Sequence, residues 1–223
     1  MMKTKFAIVL SGCGVSDGSE IHEAIASILA VEKNGGSYHI YAPNTEQMHA
    51  INHVSGEEIT PNRNMLEESA RIARGDIKSL SQFNADDFDV LLFPGGFGAV
   101  KNLCNYATAG RNCKVNSDVA QAVKSMFKRK KIIAAICIAP VVLARILGNI
   151  TVTLGNPDES LIADINSFGA THTVKNVTDV CIDAGNRIFT TPAYMSATNI
   201  TEVFTGIDNL VKEILKFIAM EKL

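Results

Sequence analysis

The stretch Ile132-Ile133-Ala134-Ala135-Ile136-Cys137-Ile138-Ala139-Pro140 decides the fold. An apolar run of strand length leads straight into a cysteine. Pro140 stands where the first turn of a helix begins, a position that needs no backbone N–H. The chain must therefore turn from strand to helix within one or two residues at Cys137. This is the geometry of a nucleophile elbow, which lifts one side chain above a sheet. A helix N-terminus there would lower the thiol pKa and favour the thiolate. A buried core cysteine is the other reading of the same position.

Outward from this point, apolar runs of strand length alternate with segments of helical period. Residues 6–10, 37–42 and 90–93 read as strands, and 117–128 as the helix before the central strand. A helix follows at 139–147, further strands at 151–154, 171–174, 180–182 and 187–190, a helix near 158–168, and a last helix at about 196–220. Ile21, Ala24, Ile25, Ile28 and Leu29 recur as one apolar helix face, closed by Asn34-Gly35-Gly36. Residues 44–88 are mixed, with a hairpin or irregular stretch at 49–59 and a short helix near 66–73. Continuous apolar strands alternating with helices predict an α/β, three-layer sandwich on a mostly parallel sheet, as one domain over 1–223. In such sheets ligands bind at the carboxyl ends of the strands.

Three loops at those ends carry candidate chemistry. Gly12-Cys13-Gly14 follows the first strand, but the next glycine is Gly18 and no acidic residue closes the second strand, so a dinucleotide site is not expected. Asp17 and Glu20 have capping-box spacing, with Asp17 as the expected N-cap. Glu23, one turn on, reads either as a solvent-facing helix residue or as a functional carboxylate. Pro94-Gly95-Gly96-Phe97-Gly98 ends a buried strand and exposes backbone N–H groups able to hold an oxyanion, or forms a plain tight turn. Cys13 is a secondary candidate, while Cys104, Cys113 and Cys181 lack comparable context. No histidine adjoins Cys137; His22, His53 and His172 could approach it only through the fold.

Composition narrows the classes further. The 223 residues carry 21 Lys+Arg and 23 Asp+Glu, a net charge of −2, which argues against nucleic acid as a partner. The basic run Lys128 to Lys131 reads as a solvated helix end. Five cysteines without C-x-x-C pairs give no zinc spacing, and a disulfide framework is not expected. No metal or cofactor is expected. No segment is long and apolar enough to predict a membrane span, and no signal-peptide pattern precedes the first strand. A cytoplasmic setting is the resulting expectation.

Glu23, the Pro94–Gly98 turn and Ala135-Ile136-Cys137-Ile138-Ala139-Pro140 together resemble the PfpI and class I glutamine-amidotransferase-like superfamily. Within it, Ser11 to Val15, Asp17 to Glu23, Ile51-Asn52-His53, Ala70 to Gly75, Lys101-Asn102-Leu103 and Thr190 to Met195 are similar to the ElbB branch, named for enhanced lycopene biosynthesis and also called sigma cross-reacting protein. The match runs from about residue 6 to 215. It implies a flavodoxin-like fold, a homodimer, and a cofactor-independent glyoxalase acting on a small dicarbonyl, glyoxal. Cys137 and Glu23 are then the catalytic pair, Gly95, Gly96 and Ile138 the oxyanion or binding groups, and Cys13, Glu20, His22 and Tyr194 further pocket residues. Ile138 stands where many PfpI-type hydrolases carry histidine. A cysteine hydrolase or amidase, a redox sensor or chaperone, and an accessory role in isoprenoid metabolism are the alternative functions.

Overall fold

The computed structural model describes residues 3–221. Its elements in chain order are β1 (Lys5–Val9), α1 (Ile21–Lys33), β2 (Ser37–Ala42), β3 (Ala50–Ile51), β4 (Glu58–Ile59), α2 (Met65–Ile72), β5 (Lys78–Ser79) and β6 (Val90–Phe93). There follow α3 (Phe97–Lys101), α4 (Tyr106–Ala109), α5 (Ser117–Lys128), β7 (Ile132–Ile136), α6 (Pro140–Leu147), β8 (Thr151–Val152), α7 (Glu159–Ser167), β9 (Thr171–His172), β10 (Cys181–Asp183), β11 (Ile188–Thr191) and α8 (Ile200–Met220). The main sheet has the order β10-β11-β7-β6-β1-β2-β5 and is parallel except where β10 pairs with β11. The α/β, mostly parallel architecture expected from the strand–helix alternation is present.

The alternation of side chains along each strand builds two cores. Ala7, Val9, Leu91, Phe93, Ile133 and Ala135 face a layer that includes α5 and α6, while Phe6, Ile8, Leu92, Ala134 and Ile136 face α1 and α8. Every residue of β6 and β7 is buried, which is why these strands read as unbroken apolar runs. The chain passes from β1 outward to β2 and β5, then returns to the other side of β1 with β6 and β7. That reversal leaves a crevice at the carboxyl ends of β1, β6 and β7.

Several expectations need correction. Strands at 151–154 and 171–174 do not join the main sheet; β8 and β9 pair with each other as a separate two-stranded sheet. The 49–59 segment is a hairpin, with Ala50 opposite Ile59. The buried face of α1 is not the large-aliphatic one: Glu23, Ala24, Ala26, Ser27, Ala30 and Val31 point inward, whereas Ile21, Ile25 and Leu29 are exposed. Small residues face inward because α1 packs closely against α8 and the sheet. Asp17 is not the N-cap of α1. Glu20 is: its carboxylate accepts the Glu23 N–H at 2.7 Å. The helix cannot start earlier because the preceding loop is committed to other bonds, with Gly18 N–H on Gly14 O and Glu20 N–H on Gly95 O.

The β1–α1 loop is held from outside by Asp17 and Asn102. Asp17 is buried and accepts the Ile51 N–H at 2.7 Å, tying the loop to the hairpin. Asn102, just past α3, donates to Ser11 O at 2.8 Å and Asp17 O at 2.7 Å and accepts the Met48 N–H at 2.8 Å. One amide thus joins three segments that are far apart in sequence. Asn102→Ala removes all three bonds and is expected to cost about 2–3 kcal/mol, a fall in Tm of roughly 4–12 °C. A thermal melt shifted by less than a degree would show that the amide does not hold the loop.

Candidate active site

Cys137 follows the last residue of β7 and takes a left-handed backbone, with φ of 62°. For a residue with a Cβ this conformation costs about 1–2 kcal/mol and persists only where the surroundings impose it. Two bonds impose it here. Cys137 N–H donates to Thr191 O at 3.0 Å, extending the β7–β11 ladder, and Ala139 N–H already turns back to Ile136 O at 3.0 Å. The strand ends and the helical turn begins around one residue, which throws the thiol toward the crevice.

The carboxylate of Glu23 meets it there. Glu23 is fully buried on the inward face of α1, so the solvent-facing reading of this residue is wrong. Its Oε2 accepts the Gly95 N–H at 2.9 Å and its Oε1 accepts the Tyr194 N–H at 3.2 Å. The carboxyl of Glu23 and the thiol of Cys137 flank Gly95 and act on each other's titration, and the N–H groups of Gly96 and Ile138 act on the sulfur. The carboxylate therefore has two backbone donors. Gly95 lies between them: a Cβ at that position would fall 2.7 Å from Glu23 Oε2 and 3.0 Å from Cys137 Sγ. Gly96, with φ of 93°, has no room either, since a Cβ there would lie 2.5 Å from Gly18 O.

The electrostatics correct one sequence expectation. The thiol pKa is not lowered; burial pushes it well above the usual range and the Glu23 carboxylate adds to this, outweighing the N–H groups of Gly96 and Ile138. The helix dipole acts weakly because α6 begins only at Pro140. Burial likewise raises Glu23 to about 8, with the Glu20 carboxylate adding to the rise and the Tyr194 and Gly95 N–H groups and the thiol opposing it. The two groups titrate as a pair rather than singly.

The other predicted residues fall in two places. Glu20, His22 and Tyr194 stand beside the pair. His22 Nδ1 and the Tyr194 hydroxyl are 2.7 Å apart, and His22 Nδ1 lies 3.8 Å from Glu20 Oε1. Cys13 lies apart: it feels the charges of Glu68 and Arg71 of α2, and burial raises its pKa. His53 accepts the Ser16 N–H at 3.2 Å, and His172 belongs to β9 with its Nε2 buried and unpartnered. Among the described residues no histidine hydrogen-bonds Cys137, and no cluster of three or more His, Cys, Asp or Glu could hold a metal ion. No helix among the described residues is long and apolar enough to cross a membrane. Surface hollows such as one of about 510 Å³ beside Thr178, Val180 and Lys212 lie away from the pair.

Sequence reasoning missed Thr191, whose carbonyl fixes the elbow, and Asn102, which sets the β1–α1 loop. Both act through bonds that carry no local pattern; their only trace was membership of short motifs at 101–103 and 190–195.

An α/β protein with a cysteine at a nucleophile elbow and a buried glutamate from the first helix defines a recognisable class. The chain belongs to the DJ-1/PfpI family, whose pattern matches residues 14–154. It is 43% identical over 223 residues to an ES1 protein homolog, mitochondrial, of Rattus norvegicus, covering 96% of this chain and 84% of that one. It is 41% identical to human glutamine amidotransferase-like class 1 domain-containing protein 3, mitochondrial, covering 95% and 82%. The crystal structure of an isoprenoid biosynthesis protein with an amidotransferase-like domain from Ehrlichia chaffeensis superposes with a TM-score of 0.90 at 32% identity, covering 96% of this chain and 99% of that one. The relatives' mitochondrial assignment overturns the cytoplasmic expectation. Charge balance and cysteine usage carry no signal that separates one aqueous compartment from another.

The raised Glu23 pKa gives a stability signature. An unfolded glutamate ionises near 4.5 and the folded one at about 8, so the unfolded state loses its proton first as pH rises. Glu23 therefore favours the fold below pH 4.5 and loses this contribution progressively up to about pH 8. Glu23→Gln cannot ionise, so its stability relative to the natural chain should improve over this window, by at most about 1.4 kcal/mol per pH unit. Denaturant melts of both proteins from pH 5 to 8 check this; parallel curves would mean that Glu23 ionises normally.

Proposed function

We propose that the Cys137–Glu23 pair is catalytic and that the protein is a cofactor-independent glyoxalase of the ElbB type, converting glyoxal to glycolate. The observation that carries this reading is the buried thiol and carboxyl set around Gly95, with two backbone N–H donors on the carboxylate and no histidine bonded to the sulfur among the described residues. A hydrolase would need a base of the histidine kind to activate the thiol and protonate a leaving amine. A thiol beside a carboxyl that titrates near 8 suits a reaction that only moves protons on one small molecule.

The steps balance. The thiolate of Cys137 adds to one aldehyde carbon, and the resulting oxyanion takes the proton held by Glu23, giving a hemithioacetal. Glu23 then removes the hydrogen from the sulfur-bearing carbon as a proton, and the electron pair forms a carbon–carbon double bond, leaving an enediolate charged on the second oxygen. Glu23 returns its proton to the second carbon while the hydroxyl proton of the first carbon passes to the second oxygen, giving the glycolate thioester. Water cleaves the thioester, releasing glycolate and restoring the thiol. Gly96 and Ile138 N–H groups, which face the sulfur, are placed to hold the oxygen that develops on the adjacent carbon. Gly95 contributes differently from its expected oxyanion role, because its N–H is already used by Glu23.

Glyoxal consumption by the purified protein tests the assignment. Cys137→Ala should reduce turnover to background, and Glu23→Gln should lower it about 10²–10⁴-fold. Turnover should climb from pH 6 toward pH 8 and above, because the pair must lose a proton before a thiolate is available. Equal turnover in all three proteins would sink the reading.

The homodimer belongs to the same proposal. Ile21, Ile25 and Leu29 are 43%, 46% and 48% exposed and line one stripe of α1. Spacing of four residues along a helix makes a ridge that a second copy of the same helix can cover. Ile25→Lys should convert the dimer to monomer in sedimentation, while a sedimentation coefficient unchanged from the natural protein would place the interface elsewhere.

A further inference from the structure

Among the described residues five α-helices, α1, α2, α5, α7 and α8, begin with a side chain that accepts a backbone N–H of the first turn. Four of these caps are short: Asn64, Asn116, Asp158 and Asn199. Short polar caps are what the energetics favour. The exception is α1, the helix that carries Glu23, where the cap is the longer Glu20. Capping does not call for the extra length, and a glutamate arm costs more rotamer freedom to fix. The arm is nevertheless buried, with Glu20 8% exposed; Oε2 holds the Glu23 N–H, and Oε1 has His22 Nδ1 at 3.8 Å. The bonds around it close a ring. Glu20 N–H donates to Gly95 O at 2.9 Å, Gly95 N–H donates to Glu23 Oε2 at 2.9 Å, and Glu23 N–H donates to Glu20 Oε2 at 2.7 Å. The start of α1, the loop after β6 and the Glu23 carboxylate are thereby fixed to one another.

From this ring we propose that Glu20 is the positioning residue of the candidate site: it seats the Glu23 carboxyl against Gly95 and keeps a second negative charge one helical turn behind it. The inference rests on the reading of Cys137 and Glu23 as the reacting pair. The groups around Glu23 give the charge its effect. Cys137 acts on it from the end of β7, and Glu20 from its own helix. Tyr194 supplies an N–H from the turn after β11, and its phenol feels both carboxylates. His22 stands on the far side of Glu20, half exposed. None of the groups that act most on Glu23 is a cation. Glu20 therefore disfavours the ionised form of Glu23 with no counter-charge to cancel it, in the same direction as burial. The consequence for the reaction is a stronger base once the proton has passed to the oxyanion, since proton-accepting power follows proton affinity. Glu20 touches no reacting atom in this scheme; it acts only through Glu23.

The titration of Glu23, followed by carbon NMR of carboxyl-labelled glutamate, measures this role without reference to turnover. Glu23→Gln identifies the resonance. Glu20→Gln keeps the arm and the acceptor and removes only the charge. In it the Glu23 midpoint should fall from about 8 by about one unit. Glu20→Asn supplies the cap used elsewhere in the chain; it should melt no lower than the natural protein and show a fall of the same size. Glu20→Ala opens the ring, and hydrogen exchange at the Gly95 amide should rise about fivefold, the effect of one lost hydrogen bond. An unchanged midpoint in both Glu20→Gln and Glu20→Asn would make Glu20 a helix cap and nothing more, and overturns the proposal. Unchanged exchange at Gly95 in Glu20→Ala overturns the seating of Glu23 by the ring. In glyoxal turnover the pH profile of Glu20→Gln should move with the midpoint. If glyoxal is not consumed but the midpoint falls as expected, Glu20 keeps its role and the glyoxal reading fails alone.

Discussion

A thiol and a carboxyl share one dry cradle in this protein, and much of the local structure exists to keep them together. Burial alone would drive both groups to their neutral forms. The cradle opposes this with backbone rather than side-chain charge: Gly95 and Tyr194 face the carboxylate, Gly96 and Ile138 face the sulfur. Backbone N–H groups supply partial positive charge without adding a cation that would lock one protonation state. A proton can therefore sit on either partner, and the pair resists holding two negative charges.

The constraint is met by strain at two points. Cys137 and Ala193 both take left-handed backbones although each carries a Cβ. At Cys137 the strain is imposed by the β7–β11 ladder on one side and the first turn toward α6 on the other. At Ala193 it is imposed by a closed turn. Both lie at the carboxyl ends of adjacent strands, where the sheet stops and no repeating hydrogen-bond pattern dictates the path. The third fixed point, Glu23, is carried by α1, whose start is set by the β1–α1 loop and by Glu20 as N-cap. That loop in turn depends on Asn102 and Asp17.

The inward face of α1 shows how function and packing are divided on one helix. Alanines and a serine face inward, which brings the helix close enough to the sheet for Glu23 to reach the crevice. The larger aliphatic residues are left outside, available for association. Hydrophobic periodicity identified the helix correctly but assigned its inner face to the larger residues, because periodicity registers apolar character and not the space available.

The chain's own order of residues determined the elbow, the parallel sheet and the thiol and carboxyl of the candidate site. Each is written locally: an apolar run ended by cysteine and Pro140, strand-length segments alternating with helical ones, and Glu23 within a short motif after the first strand. Tertiary structure alone decided which residues complete the site. The Tyr194 N–H on Glu23, the Thr191 carbonyl on Cys137 and the Asn102 bridge join positions 54 to 171 residues apart. The direction of the thiol's pKa was also a tertiary matter. A helix N-terminus can be read from sequence, but the desolvation that outweighs it depends on how completely the surrounding elements close over the sulfur.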